Sequence, residues 1–305
     1  MNVTIVNYHY VRPLPDVKFP NIKAFPLKEF ERRITHYKNN FTLICPNKIA
    51  EFTEIHKTTN NLMWLTFDDG LIDHYEYVLP LLTEHNISGT FFPSARPVMQ
   101  SVILPVHKIQ LMLARGWQIE KLTSMLVQSC IKNGFSYTNI ENLIEKFDFS
   151  SRFDDLETSI FKKLLQKYLP NEIRHKVLHE IFEQVIDMNE AEFAKLFYLQ
   201  REHIEEMLDN NMSIGGHGGE HLWLGNVSEQ EQLQEIQESS DFLDSFSKIK
   251  TRIFSYPYGS YNQKTIEILK YHSFEIGLTT IPKNAELREN NLMKLPRYDA
   301  NDRHF

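Results

Sequence analysis

Cysteine is scarce in this sequence. Its 305 residues hold two, Cys45 and Cys130, far apart and outside any CxxC pair. A disulfide framework needs more, so the chain is not a stapled secreted module, and both are read as buried free thiols. Basic charge is also in deficit. Lys and Arg number 33 against 40 Asp and Glu, for a net charge of −7 and a pI near 6.0. Nucleic-acid binders usually carry a basic excess, so this balance argues against nucleic acid as a partner. Long apolar runs are missing as well. No stretch reaches the roughly 18 residues of a membrane-spanning helix. The opening residues alternate in polarity and reach Asn7 and His9 at once, without the basic start and continuous apolar run of a signal peptide. The expected location is therefore cytoplasmic; a chain with its leader trimmed would read the same way. Repeats and low-complexity tracts are absent.

Hydrophobic residues make up 42% of the chain, enough for a sizeable core. Val3–Tyr8 alternates and is rich in β-branched residues, a strand signal. Leu27, Phe30, Ile34 and Tyr37 recur at helical spacing, predicting a helix over 26–39. Leu62–Phe67 reads as a strand, followed by a helix at 74–85 and a strand at 88–93. From about 105 to 210 Gly and β-branched residues thin out, while Leu, Lys, Glu and Gln rise. Ile173, Val177, Leu178, Ile181, Phe182 and Val185 form one helical stripe there. This stretch is predicted to be a helical insertion, with its last helix at about 200–209. The β/α rhythm returns with a strand at 212–216. A helix to about 245 follows, opened by a Ser228–Glu231 capping box, then a strand at 252–256, a helix at 263–271 and a strand at 274–280. Alternating strands and helices imply a parallel sheet, open or closed into a barrel. The polar clusters fall just after strands, where α/β folds place their chemistry.

Four such clusters stand out. Asp68 and Asp69 end an apolar strand and precede Gly70. Adjacent carboxylates there either make a simple Asp-Gly turn or divide into one metal ligand and one free base. His217 and His221 lie four apart among four glycines, a spacing that suits one metal if the backbone is helical or tightly turned. Asp plus two His is a recurring ligand set for divalent metals. Tyr256-Pro257-Tyr258-Gly259 reads as a rigid turn at a strand end. His9, in Tyr8-His9-Tyr10, ends the first strand. In a parallel fold these strand ends meet on one face, which would bring His9 toward Asp68, His217 and Pro257.

Together these segments resemble a known family. Leu65-Thr66-Phe67-Asp68-Asp69-Gly70, then Tyr75, Leu79-Pro80 and Gly89-Thr90-Phe91-Phe92, resemble the first motif block of the polysaccharide deacetylases (NodB-like, carbohydrate esterase family 4). Ile214-Gly215-Gly216-His217 through His221 resembles the second motif, and Phe254 to Gly259 the third. The likeness covers about 1–95 and 200–305. It implies an α/β fold, a distorted (β/α) barrel of the NodB type with a large helical insertion. The expected division is a deacetylase barrel at 1–104 and 211–305, with the insertion at 105–210. It also implies a metal-dependent hydrolase that removes the N-acetyl group of an amino sugar. Asp68 would be the general base, and Asp69, His217 and His221 the metal ligands. The backbone N–H of Tyr258 would help hold the oxyanion. Zinc is favoured, with cobalt, nickel, manganese or iron suited to the same ligands.

The sequence also departs from the family pattern. Gly218 stands where Ser or Thr usually follows the first His. Ser255 and Tyr256 stand where an Arg usually precedes Pro-Tyr, which makes Arg297, in Leu295-Pro296-Arg297-Tyr298, the candidate substitute. The late Leu-x-His motif that supplies the general acid is missing; His304 lacks an apolar strand before it. Tyr8-His9-Tyr10-Val11 resembles the permuted arrangement of the deacetylases acting on poly-N-acetylglucosamine, which assigns the acid to His9. Two other readings fit the same residues. One is a metal-dependent hydrolase of another small amide or formamide, the other a non-catalytic carbohydrate-binding relative. Trp223 either stacks on a sugar ring or packs in the core.

Overall fold

The computed structural model describes residues 2–45, 61–151, 154–249, 251–287 and 289–302. His304 lies outside them. The chain divides into two compact units. One comprises residues 1–14, 24–101 and 195–305, the other 15–23 and 102–194. The segment 195–210 thus falls in the first unit, and the short pieces 15–23 and 102–104 in the second, where the sequence alone placed them the other way.

The first unit is an α/β fold built on parallel strands. They are β1 (Asn2–Tyr8), β2 (Leu62–Asp69), β3 (Thr90–Pro93), β4 (Ser213–Ile214), β5 (Ile253–Ser255), β6 (Ile276–Leu278) and β7 (Tyr298–Asp299). β1, β2, β3 and β4 pair in that order, all parallel. Single parallel bridges continue the ladder, Gly216 to Phe254 and Leu278 to Leu295, and β5 pairs parallel with β6. β7 then pairs with β1, Asn7 opposite Asp299, so the hydrogen bonding runs round a closed ring. The strands are short beyond β2, and two of the seams are single bridges. This is the physical content of a distorted barrel. Around the ring lie α1 (Leu27–Asn40), α2 (Leu79–Glu84), α3 (Ala95–Gln100), α4 (Arg201–Asp209), α5 (Glu229–Asp244) and α6 (Gln263–Tyr271), numbered within this unit.

Side-chain parity explains the core. Successive strand residues face opposite sides. Met63, Leu65 and Phe67 of β2 join the outer cluster, with Phe30, Ile34 and Tyr37 of α1 and Ile204 and Met207 of α4. Leu62 and Trp64 join a second cluster drawn from the strands and their ends: Val3, Ile5, Phe92, Ile253, Ile276, Leu278 and Leu295. That second cluster fills the ring. Burial of each such side chain contributes roughly 1.5–3 kcal/mol, so the plug is a substantial part of the stability. Because every β2 residue is buried, the strand reads as a continuous apolar run until its two carboxylates. The Ser228–Glu231 capping box forms and starts α5 where the sequence predicts it.

The second unit is helical. Its longest helix, Asn171–Ile186, buries Val177, Leu178, Ile181, Phe182 and Val185 on one face. Asp155 caps the helix Leu156–Lys163 by accepting from Thr158 N at 2.8 Å. Cys130 is a buried thiol, as expected, while Cys45, in the first unit, is only half-buried, its Sγ 3.4 Å from Thr90 Oγ1. No helix among the described residues is long and apolar enough to cross a membrane.

Candidate functional site

At the C-terminal end of the barrel the inward positions change from apolar to polar. Following Val3 and Ile5 comes Asn7; following Leu62 and Trp64 come Thr66 and Asp68; following Ile253 comes Ser255; following Leu295 comes Arg297. All five polar residues are buried, and they bond to one another. Arg297 grips Asp68 with both arms, Nη1 to Oδ1 at 3.0 Å and Nη2 to Oδ2 at 2.8 Å. Asp68 Oδ2 also accepts from Asn7 Nδ2 at 2.9 Å and from Ser255 Oγ at 3.0 Å. Arg297 is held in turn by the Thr279 carbonyl, Asn7 Oδ1, Thr66 Oγ1 and Ser255 Oγ. Burial alone would raise the Asp68 pKa. The adjacent Arg297 guanidinium, with His217 and His9 adding to it, holds the carboxyl well below the usual carboxylate range. Asp68 is therefore an ionised, rigidly oriented carboxylate.

Asp69 breaks the strand's alternation. Its φ is +76°, a left-handed conformation rare outside glycine, so the two neighbouring carboxylates part company. Gly70 follows with φ +65°, and a Cβ there would sit 2.5 Å from Pro93 Cβ. Asp69 Oδ1 lies 3.4 Å from His217 Nε2 and 3.5 Å from His221 Nε2. The three residues are buried, and one ligand atom from each lies within 4.8 Å of the other two. The turn that joins the histidines is not helical: Gly218 has φ +76° and His221 φ +64°. Its entry is tight, since a Cβ on Gly215 would meet the Ile253 carbonyl at 2.6 Å.

The donor set fits a divalent cation. The Ser255 carbonyl lies 2.8 Å from His217 Nδ1 and can only accept, so Nδ1 carries the proton and the Nε2 lone pair faces Asp69 and His221. Burial would depress His217, yet the carboxylates of Asp68 and Asp69 outweigh it and raise its pKa. The field at this point is thus negative and favours a positive charge. Buried His217 Nε2 has no hydrogen-bond partner among the described residues, as expected of a nitrogen kept for a ligand.

His9 sits at the rim, half-exposed, with Nδ1 4.0 Å from Asp299 Oδ2. Its backbone is pinned from below. His74 Nε2 donates to the His9 carbonyl at 2.9 Å, and Arg12, three residues on, makes a two-pronged salt bridge with buried Asp73. His74 is packed against Phe67 and Phe91, and burial pushes its imidazole down to about 4. On the opposite side, Tyr258 is left-handed, with φ +57°. Its ring lies edge-on to His221 at 4.5 Å and stacks on Trp223 at 4.0 Å. Trp223 is 49% exposed. Asp69, His221 and Tyr258 each carry a strained backbone, a cost of about 1–3 kcal/mol apiece that tends to persist at functional sites.

The structure thus gathers Asp68, Asp69, His217, His221, Tyr258 and Arg297 at one barrel end, with His9 at its edge. Asn7, Ser255 and Asp299 belong to the same constellation; Asn7 and Asp299 lie outside the motifs, and Ser255 stands in the third only as a departure from its usual Arg. Their signal was the parity of the strands, each lying two residues beyond an inward-facing neighbour.

Comparison with known proteins agrees with this architecture. The sequence profile described as polysaccharide deacetylase matches residues 56–145 and 153–277. YxkH of Bacillus subtilis (strain 168), whose name assigns it provisionally to the polysaccharide deacetylases, is 32% identical over 100 residues. That match spans 33% of this chain and 36% of YxkH, about a third of each. The deacetylase PplD of Streptococcus pyogenes, solved in complex with acetate, superposes with a TM-score of 0.61 at 17% identity, over 98% of this chain and 92% of PplD. A de-N-acetylase of Aggregatibacter actinomycetemcomitans gives 0.56 at 13% identity, over 98% of this chain and 94% of that one. At such identities the two structures speak to the fold, whereas the profile covers well over half of the sequence. With its motifs in order around one barrel mouth, this chain belongs to the polysaccharide deacetylase family.

Proposed function

We propose that the protein hydrolyses the N-acetyl group of an amino sugar, in a polysaccharide, oligosaccharide or glycan precursor, with the help of a divalent metal. The observation that carries this reading is the buried Asp69–His217–His221 cluster beside an ionised Asp68. Family membership supplies the substrate class, and the names of PplD and of the Aggregatibacter enzyme add acetate and N-acetyl chemistry.

Asp69, His217 and His221 would hold the cation, with zinc first among those that suit one carboxylate and two imidazoles. A divalent cation bound there supplies Lewis acidity toward the acetyl carbonyl and toward water. The rest falls to the chain's own residues. A carboxylate oxygen can accept two hydrogen bonds or more. Asp68 Oδ2 is fully used by Arg297, Asn7 and Ser255, whereas among the described residues Oδ1 accepts only from Arg297 Nη1. Oδ1 is therefore the atom placed to take the proton from the attacking water. Water oxygen bonds to the acetyl carbon, and the carbonyl oxygen becomes an oxyanion. The Tyr258 N–H donates to it, an interaction typically worth about 3–4 kcal/mol. The C–N bond then breaks, and His9 protonates the departing nitrogen, because an amine anion does not leave unaided. Asp299 Oδ2 lies 4.0 Å from His9 Nδ1, on the rim where this step takes place. The products are acetate and a free amino sugar.

The decisive experiment measures acetate release, with and without chelator, from chitooligosaccharides, nucleotide sugars and lipid-linked sugars. Acetate release that chelator abolishes and metal restores is expected. Equal release in both conditions would remove the metal from the mechanism, and release from none of the panel would remove the substrate class.

A further inference from the structure

We infer that Glu235, on α5, is a positioning residue that fixes the turn carrying His217 and His221 in its metal-binding shape. This rests on the metal-dependent reading above. Glu235 is 1% exposed and belongs to neither the ligand set nor the Asp68 network. Its carboxylate accepts three backbone N–H groups of the turn: Glu220 N to Oε1 at 2.8 Å, Gly219 N to Oε2 at 3.1 Å and Leu222 N to Oε2 at 3.4 Å. Two of those peptides flank His221 directly, so they bear on the left-handed backbone that His221 must adopt. Successive N–H groups converging on one point make a concave anion site, and here the protein fills it with its own side chain.

The other side of the turn is fastened separately. Ser94 Oγ donates to the His217 carbonyl at 3.2 Å, Ala95 N to the Gly218 carbonyl at 2.9 Å and Arg96 N to the Gly219 carbonyl at 3.2 Å. The approach is too close for side chains. A Cβ on Gly218 would sit 2.7 Å from Glu235 Oε2, and one on Gly219 would sit 3.0 Å from Oε1. A buried carboxylate is costly unless its partners are in place, and burial pushes Glu235 up to about 6. A residue that served packing alone would not need that charge. Held this way, the turn presents both imidazoles to Asp69 before any cation arrives, and little reorganisation is left for binding.

The test is titration of metal-free protein with cobalt(II), reading both the dissociation constant and the visible absorption of the bound ion. Glu235→Gln keeps the shape but replaces an accepting oxygen with a donating amide. It is expected to weaken cobalt binding about tenfold or more, the usual scale for losing a residue that orients a ligand. The visible band should also change, while the far-ultraviolet circular dichroism stays as in the wild type. Glu238→Gln removes a partly exposed partner of Arg96 and leaves the three N–H bonds alone; it should change the constant by less than about threefold. An unchanged constant and spectrum in Glu235→Gln overturns the inference. If that variant does not fold, Glu235→Asp serves, one methylene shorter and expected to bind with intermediate strength; wild-type binding in it overturns the inference equally. Asp69→Ala, run in parallel, separates the two levels. Wild-type protein that takes up no more cobalt than Asp69→Ala removes the metal reading itself and the role of Glu235 with it.

Discussion

Arg297 reaches Asp68 across the barrel mouth and clamps both carboxylate oxygens, at 3.0 and 2.8 Å, with neither side chain more than a few per cent exposed. The two residues are 229 apart in sequence. Closure of the strand ring brings them together, because β7 returns to lie beside β1. The pair sets both the charge and the orientation of the candidate base.

Removing one partner should therefore be severe. Arg297→Met leaves a buried carboxylate without its counter-charge and is expected to cost about 3–5 kcal/mol. Arg297→Lys keeps a charge but loses the two-pronged fork, so a smaller loss of stability should accompany a large loss of turnover. Urea unfolding and acetate release on the same preparations check both. Wild-type stability in Arg297→Met would show that Asp68 is held by other means.

Ligands and base should separate cleanly. Asp69→Ala and His217→Ala are expected to lose bound metal and activity together. Asp68→Asn should keep the metal and lose the activity, because an amide cannot take the proton from water. Metal content measured on purified protein decides. An Asp68→Asn variant with near-normal turnover would remove Asp68 as the base.

His9→Gln should slow amide hydrolysis by about 10²–10⁴-fold. The same variant should leave hydrolysis of 4-nitrophenyl acetate far less affected, since a phenolate departs without a proton. Equal losses on both substrates would assign His9 to something other than protonation of the leaving group.

Trp223→Ala tests the platform beside the site. Stacked on Tyr258 and half-exposed, Trp223 can carry a sugar ring next to the one being deacetylated. The expected result is a several-fold rise in KM for longer oligosaccharides, with kcat little changed and the shortest substrate unaffected. A fall in kcat on all lengths alike would mean that Trp223 supports Tyr258 instead.

Acid should destabilise the fold through His74. Its folded-state pKa is lowered, from 6.5 to about 4, because burial disfavours the imidazolium. The unfolded chain therefore binds a proton that the native protein refuses. The stability this group contributes is complete above pH 6.5 and is lost as the pH falls toward 4, by roughly 3 kcal/mol over that window. His74→Phe should flatten that part of the stability profile in urea unfolding at pH 7 and pH 4.5. A profile identical to that of the wild type would assign the acid sensitivity to other groups.

Most of the strands and helices of the first unit, and the polar residues that end its strands, are legible in the residues alone. Strand alternation, the helical stripes and the Ser228 cap are local, because backbone geometry repeats every 2 or 3.6 residues. Leu62–Phe67 led to Asp68 and Asp69, and the glycines around His217 allowed a close backbone approach, with a helix and a tight turn both open. How these ends converge is set by the packing of the whole ring. The left-handed backbone at Asp69 sends two adjacent carboxylates to different partners, one to the histidines and one to Arg297. Asn7 and Asp299 carry no motif, Ser255 marks only a departure from one, and Glu235 lies within an ordinary helix. Asn7, Ser255 and Asp299 gain their roles from neighbours distant in sequence that the ring of strands brings close, and Glu235 gains its role from a turn folded back onto its helix, which no local pattern encodes.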